Sequence, residues 1–271
     1  MTRLIGFFFS ALTALLVLPT GGQAAVEEPS GYETGFDTMA KIVADLQRAL
    51  EPKDKAEVYP VPVFVDKMAV PYLQLQETAG GNATHAIYIS SGFIGLLNFI
   101  SHAKAIDGAR PGFFAKSLTR LSAEESEPWP PDLQASAAAN SWSFDTMNRQ
   151  ASAFNQIAGG LAAIQMAHFT LGHYQKYARN LAGAQMPALS INGVVTPAEW
   201  RRAVLQGAGH ALECGLAVDG LKIFFESIGK MPTRPAWRIY FVPDDLDARG
   251  MNKINRDLDE LQRKAFLSFR R

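Results

Sequence analysis

Two long stretches of helical spacing dominate the second half of the chain. In the stretch 142–181 apolar residues recur every three or four positions, and the stretch 196–228 repeats the pattern. Thr196 is placed to cap the second stretch, with Pro197 in its first turn and Glu199 positioned to bond back to the cap. We therefore predict two long helices that lie against each other.

The rest of the chain predicts shorter elements, which come before and after the two long helices. Periodicity predicts helices over 36–50, 91–100, 113–121 and 251–269, and strands over 58–65, 70–76, 85–90 and 237–242. The expected fold class is α+β, mainly helical, with long packed helices and a small antiparallel sheet. We expect residues 25–271 to form a single domain with an insertion at about 107–141, where prolines and an acidic pair interrupt the pattern.

The first 24 residues have the order of a secretory signal peptide. Arg3 gives a short charged region, an apolar run follows to Leu18, and Gly22 and Ala24 place small residues at −3 and −1 of a cleavage site before Ala25. The apolar run is shorter than the ~20 residues that a membrane-spanning helix needs. We expect an exported protein, periplasmic or secreted from a bacterial envelope, with no transmembrane segment after cleavage.

The charge balance limits which kinds of partner are expected, and the cysteine content limits how the fold can be stabilised. The chain carries 26 basic and 26 acidic residues, which gives no electrostatic reason to expect nucleic acid as a partner. The expected partner is a protein or peptide, of a kind that the sequence does not specify. Cys214 is the single cysteine, so no internal disulfide can form. Hydrophobic residues make up 48% of the chain, which is ample for a core.

Histidines on the two long predicted helices are the candidates for chemistry. His168 and His173 occur near the end of the first helix, and the second carries His210, Glu213 and then Asp219. Imidazoles and a carboxylate on two packed helices are how a helical zinc site is built.

The order of these elements resembles that of the HtpX-like and CAAX-prenyl-protease-like zinc metallopeptidases. The resemblance covers roughly residues 36–230 and begins with a strand and helix that read Ile-Tyr-Ile-Ser-Ser-Gly-Phe-Ile-Gly-Leu-Leu over 87–97. A helix with histidines and a later helix with Asp219-Gly220 follow. The resemblance implies a metallopeptidase fold, a zinc cofactor held by H-E-x-x-H and a later Glu, and hydrolysis by a metal-bound water.

The motif that would carry this chemistry is degenerate, and two registers are open. In the first, which needs no helix distortion, His168 takes the place of the second histidine. Ile164 then stands at the first ligand, Gln165 at the general base, and Gly215 at the third ligand.

In the second register, His168, His173 and Glu213 are the metal ligands. The two histidines are five positions apart, about 140° around an ideal helix, so a π-bulge would have to bring them together. Phe169 would follow the first ligand, and the base would again be missing.

Both registers predict that the standard hydrolytic mechanism is absent. Glutamine is isosteric with glutamate but cannot accept a proton near neutral pH. The leading hypothesis is an exported metallopeptidase-like protein with a degenerate or rearranged metal site. An active zinc peptidase that uses His168, His173 and Glu213 is one alternative, and a non-enzymatic envelope scaffold or assembly factor is the other.

Overall fold

The structure is a computed structural model that describes residues 31–50, 62–77, 85–123, 143–181 and 190–268. The predicted signal peptide and its cleavage site before Ala25 lie outside the described residues. Most of the predicted insertion, from residue 124 onward, lies outside them as well.

Helices make up most of the described chain. In chain order they are α1 (Gly31–Ala49), α2 (Ser91–Asp107), α3 (Phe113–Ala123), α4 (Phe144–Thr170), α5 (His173–Lys176), α6 (Ala178–Leu181), α7 (Ile191–Val194), α8 (Pro197–Glu213), α9 (Asp219–Lys230) and α10 (Ala248–Ser268). The predicted α+β, mainly helical class is confirmed. None of the described helices combines the length and apolarity that crossing a membrane requires.

Within the described residues, three short strands form one mixed sheet in the order β1-β3-β2, where β1 is Val63–Asp66, β2 is Leu73–Glu77 and β3 is His85–Ser90. Strands β2 and β3 are antiparallel, but β1 runs parallel to β3. The prediction of a purely antiparallel sheet is therefore wrong for β1. The apolar pattern of a short strand shows that it pairs, whereas the order of neighbours depends on where the connecting chain passes.

Strand β3 leads directly into α2 through Ser90. The hydroxyl oxygen of Ser90 accepts a hydrogen bond from the Phe93 N–H at the start of α2 and another from the Tyr72 N–H, both at 3.0 Å. One side chain thus caps the helix and joins it to the chain entering β2. Ser90, and not the neighbouring Ser91, is therefore the N-cap of α2.

Both long predicted helices are interrupted, each at a glycine in the left-handed region. Helix α4 ends at Thr170, and Gly172 with φ of 72° turns the chain before α5 begins. Helix α8 ends at Glu213, and Gly215 with φ of 80° precedes α9. The prediction of continuous helices over 142–181 and 196–228 is wrong at these two points, because glycine adopts positive φ without steric cost.

Helix α4 is the centre of the core. Every residue from 157 to 169 is buried, and α4 packs against α1, α2, α8 and α9. Ile157, Leu161, Ile164 and His168, which are three or four residues apart on α4, are all among these buried residues. Packing of the two halves of the second long segment, α8 and α9, against α4 is confirmed.

The strand predicted over 237–242 is wrong. Ala236–Tyr240 forms a 3-10 helix instead, and Ile191–Val194 forms the single turn α7. Both pack into the interior, where the indole N–H of Trp200 donates to the Phe241 carbonyl at 3.1 Å. Short apolar runs can be buried in several backbone conformations, and packing decides which one forms.

Candidate functional site at the end of the central helix

The end of α4 brings His168 and His173 into direct contact. The two Nδ1 atoms lie 2.9 Å apart, and both side chains are buried. The contact arises because α4 stops and the chain turns at Gly172, so His173 starts a new helix beside the old one. No π-bulge is involved, in contrast to the geometry that the second register requires.

Both imidazoles favour the neutral form. Burial, followed by repulsion from His173, lowers the pKa of His168 to about 3, while the nearby Asn192 side chain opposes the shift. Burial also lowers the pKa of His173, opposed by Glu199 and reinforced by Arg202 and Lys176. At neutral pH one Nδ1 therefore donates to the other, with the donor set by the tautomers.

Hydrogen bonding in this cluster is incomplete. His168 Nε2, His173 Nε2 and Asn192 Oδ1 are buried and have no partner that meets hydrogen-bond geometry within the described ranges. Asn192 is itself anchored, because its Nδ2 donates to the Tyr240 carbonyl at 2.8 Å. Buried polar atoms are nearly always satisfied, so this cluster stands out from the rest of the core.

Gln165 lies one turn before His168, at the position of the general base in the first register. The Tyr174 hydroxyl donates to Gln165 Oε1 at 2.9 Å. Burial raises the pKa of Tyr174, and a hydrogen bond from the Leu75 backbone opposes the rise. The Gln165 carboxamide is thus held by a tyrosine that also reaches strand β2, and its oxygen is already engaged as an acceptor.

Ile164, at the first ligand position of that register, lies in the interface between α4 and α8. It is 3% exposed, and its backbone lies against Gly207 so closely that a Cβ placed on Gly207 would come within 2.6 Å of the Ile164 nitrogen. The position is therefore part of the helix packing. An isoleucine side chain offers no metal-binding atom.

Glu213 does not join the histidine pair. Gly207 lies level with Ile164. Glu213 is six residues from Gly207 towards one end of the helix pair, and His168 is four residues from Ile164 towards the other end. At 1.5 Å per residue the separation along the helix axes is roughly 15 Å. Glu213 is also exposed. Gly215 lies in the turn after α8, with open space around it.

The predicted ligand set of His168, His173 and Glu213 is therefore not assembled in this structure. Over the described part of the chain, no group of three or more His, Cys, Asp or Glu side chains could hold a metal ion. The structure brings together the two histidines and leaves the carboxylate apart. Zinc binding by this protein stays a prediction.

Sequence reasoning missed the residues that surround the pair. Asn192 precedes Gly193 in a pair that is typical of a turn, and nothing in this local pattern indicates that Asn192 lies beside His168. Glu199 was predicted as half of a capping box, which is confirmed. The same carboxylate also accepts hydrogen bonds from Lys176 and from the Tyr177 hydroxyl, which ties α8 to the segment that carries His173. The contact with Lys176 is the main cause that lowers the pKa of Glu199.

Compared with known proteins, the chain matches no family model, and neither the curated proteins nor the solved structures yield a match.

Proposed function

We propose that the protein is an exported, metallopeptidase-like protein of the bacterial envelope that does not hydrolyse peptides by the zinc mechanism. Its central helix serves to pack the core and to hold a neutral histidine pair. The binding partner of the protein is a protein or peptide. The proposal joins the signal-like N-terminus to the resemblance carried by residues 87–97 and by α4.

The observation that carries the proposal is the contact between Gln165 and Tyr174. A metallopeptidase base must take a proton from the metal-bound water, which a glutamate does and a carboxamide does not. In this protein the carboxamide oxygen accepts a hydrogen bond from the Tyr174 hydroxyl at 2.9 Å. Gln165 therefore supplies a structural hydrogen bond between α4 and Tyr174, the second residue of α5, instead of a general base.

The donor set also does not fit a catalytic zinc centre. Such a centre uses three protein ligands and keeps one position open for water. His168 and His173 supply two imidazoles that are hydrogen-bonded to each other, and Ile164 and Gly215 supply none. We therefore derive no reaction step through a metal ion.

The second candidate is an active zinc peptidase that uses His168, His173 and Glu213. One observation favours it: the two histidines meet and each keeps a buried Nε2 without a partner among the described residues. It requires the carboxylate of Glu213 to move by roughly 15 Å from its place on α8, which a local side-chain change cannot achieve.

The test pairs a metal measurement with an activity measurement on the purified protein. Zinc content is measured by elemental mass spectrometry of protein that has been purified under mild conditions. Cleavage of casein is followed with and without a chelator. The variants are His168→Ala and Glu213→Ala, with His210→Ala as the control, because His210 is a buried histidine on α8 outside the pair.

We expect no chelator-sensitive cleavage by the wild-type protein or by any variant. Cleavage that chelator abolishes, and that is lost in both His168→Ala and Glu213→Ala but kept in His210→Ala, would overturn the proposal in favour of the active peptidase. Bound zinc without cleavage would assign the histidines a binding role. Absence of both would favour a scaffold that kept the fold and lost the chemistry.

A further inference from the structure

The end of α10 carries large apolar side chains on the protein surface. The helix packs into the core through Met251, Ile254 and Leu258, which are buried, whereas no residue from 259 to 267 is buried. Phe266 and Leu267 are 57% and 51% exposed. Leu267 follows Leu258 by nine residues, which is about 180° around the helix, so it lies opposite the stripe that packs the core. Core packing therefore does not require the apolar side chain of Leu267.

Basic residues accompany the two exposed apolar residues. The sequence from 262 to 271 holds no acidic residue, and its basic residues are Arg263, Lys264, Arg270 and Arg271. Arg263 is three residues before Phe266 and four before Leu267, so these three side chains share one face of the helix. The whole chain balances 26 basic against 26 acidic residues. The segment 263–271 is therefore a local concentration of positive charge beside exposed apolar surface.

Acidic residues on the preceding turns of α10 are held in ion pairs. With N–O distances of 2.7, 2.5 and 2.8 Å, the pairs are Asp257–Arg201, Asp259–Lys222 and Glu260–Lys264. The first two pairs join α10 to α8 and α9. In the third, both side chains are more than half exposed, and an exposed pair of this kind contributes little to stability. The lysine of that pair stays accessible to a charged surface.

We propose that the end of α10 binds the surface of an anionic phospholipid bilayer. Charge complementarity selects this partner, because clustered basic residues are attracted to the phosphates of anionic headgroups. The ring of Phe266 and the side chain of Leu267 then enter the boundary between the headgroups and the acyl chains. Long basic side chains lay their apolar stems along this boundary and keep their charges at the phosphates. An acidic peptide would meet the charges but leave the two apolar side chains in water.

The test measures co-sedimentation of the purified protein with phosphatidylcholine vesicles, with and without phosphatidylglycerol. The protein is used in the form recovered from the cell, so its N-terminal segment is the same in every variant. The charge variant is Arg263→Gln/Lys264→Gln. Its matched control is Lys253→Gln/Arg256→Gln, which also removes one lysine and one arginine that are exposed on α10, two to three turns earlier.

A second pair of variants tests the apolar side chains. Phe266→Ser/Leu267→Ser removes them from the end of α10. The matched control is Phe144→Ser/Met147→Ser, because these two residues are 76% and 44% exposed at the start of α4. Circular dichroism checks that every variant is folded before its binding is compared.

We expect the wild type to bind vesicles that contain phosphatidylglycerol more strongly than those that do not, with binding that weakens as salt is added. The charge variant should lower the partition coefficient at least about tenfold, since each basic residue near an anionic surface contributes about fivefold. The apolar variant should lower it by about tenfold as well, because two large side chains no longer leave water. Each control should change it by less than about twofold.

Three results would overturn the proposal. The first is vesicle binding that does not depend on phosphatidylglycerol or that either α10 variant leaves unchanged. The second is binding of a polyglutamate peptide, lost in Arg263→Gln/Lys264→Gln, without binding of vesicles, which would assign the segment to an acidic protein partner. The third is a dimer in sedimentation analysis that Phe266→Ser/Leu267→Ser dissociates, again without binding of vesicles. A second copy of the chain would then cover the apolar side chains.

Discussion

Replacing Gly207 by alanine tests the packing that sets the geometry of the candidate site. A Cβ on Gly207 would lie 2.6 Å from the Ile164 nitrogen, 2.7 Å from the Ile164 Cα and 2.8 Å from the Ala163 carbonyl carbon. All three atoms belong to the backbone of α4, so no side chain can rotate away. The methyl group can be accommodated only if α8 and α4 move apart.

The expected cost follows from this rigidity. Adding a methylene group to a packed core costs about 1–3 kcal/mol, and we take the upper end because the clash is with backbone in the centre of the core. Alanine gains about 1 kcal/mol over glycine within a helix. The net loss of stability for Gly207→Ala is therefore about 2 kcal/mol.

Gly209→Ala is the matched control, on the same helix two residues away. A Cβ on Gly209 meets no atom within 4 Å, and its backbone is helical. This variant should gain about 0.5–1 kcal/mol from helix propensity and the smaller entropy of the unfolded chain. The difference between the two variants isolates the steric cost, about 3 kcal/mol.

The assay is urea denaturation followed by far-ultraviolet circular dichroism, with the slopes compared between variants. Equal free energies of unfolding for Gly207→Ala and Gly209→Ala would refute the close approach of α8 to α4. The position assigned to Ile164 in the helix interface, and the separation of Glu213 from His168, would then be wrong as well.

Three further predictions concern stability and processing. Ile164→Ala should lower the free energy of unfolding by ~2–4 kcal/mol, because the side chain is buried between helices, and denaturation checks this; a change below about 0.5 kcal/mol would place Ile164 at the surface. Lowering the pH from 7 to 5 should reduce the free energy of unfolding by about 2 kcal/mol through His168. The folded-state pKa of His168, about 3, lies below the unfolded value near 6.5. The unfolded chain therefore binds protons first, and stability falls as the pH falls across that window. His173, whose pKa is also lowered, adds loss in the same direction, and a flat profile between pH 7 and pH 5 would contradict the burial of the pair. Mass spectrometry of protein recovered from the envelope should find an N-terminus near Ala25, whereas an intact Met1 would disprove cleavage.

Local patterns in the sequence determined most of the secondary structure and the chemical identity of the site. Apolar residues at helical spacing predicted α1, α2, α3 and α10, and the short apolar run over 85–90 predicted β3, because these patterns are set within a few neighbouring residues. The capping box at Thr196 and Glu199 was equally visible, since its partners are three positions apart. That residue 165 is a glutamine, which cannot take up a proton near neutral pH, is a matter of residue identity alone, and no folding can change it.

The tertiary structure decided which residues meet. Gly172 and Gly215 are two of the 22 glycines in the sequence, and only the packed chain shows that they adopt positive φ and break the long helices. The break at Gly172 places His173 against His168, and packing places Asn192 beside them. The separation of Glu213 from this pair and the parallel pairing of β1 are likewise long-range results. Contacts between residues far apart in the chain depend on the sum of many weak packing interactions over the whole core, and no local pattern encodes that sum.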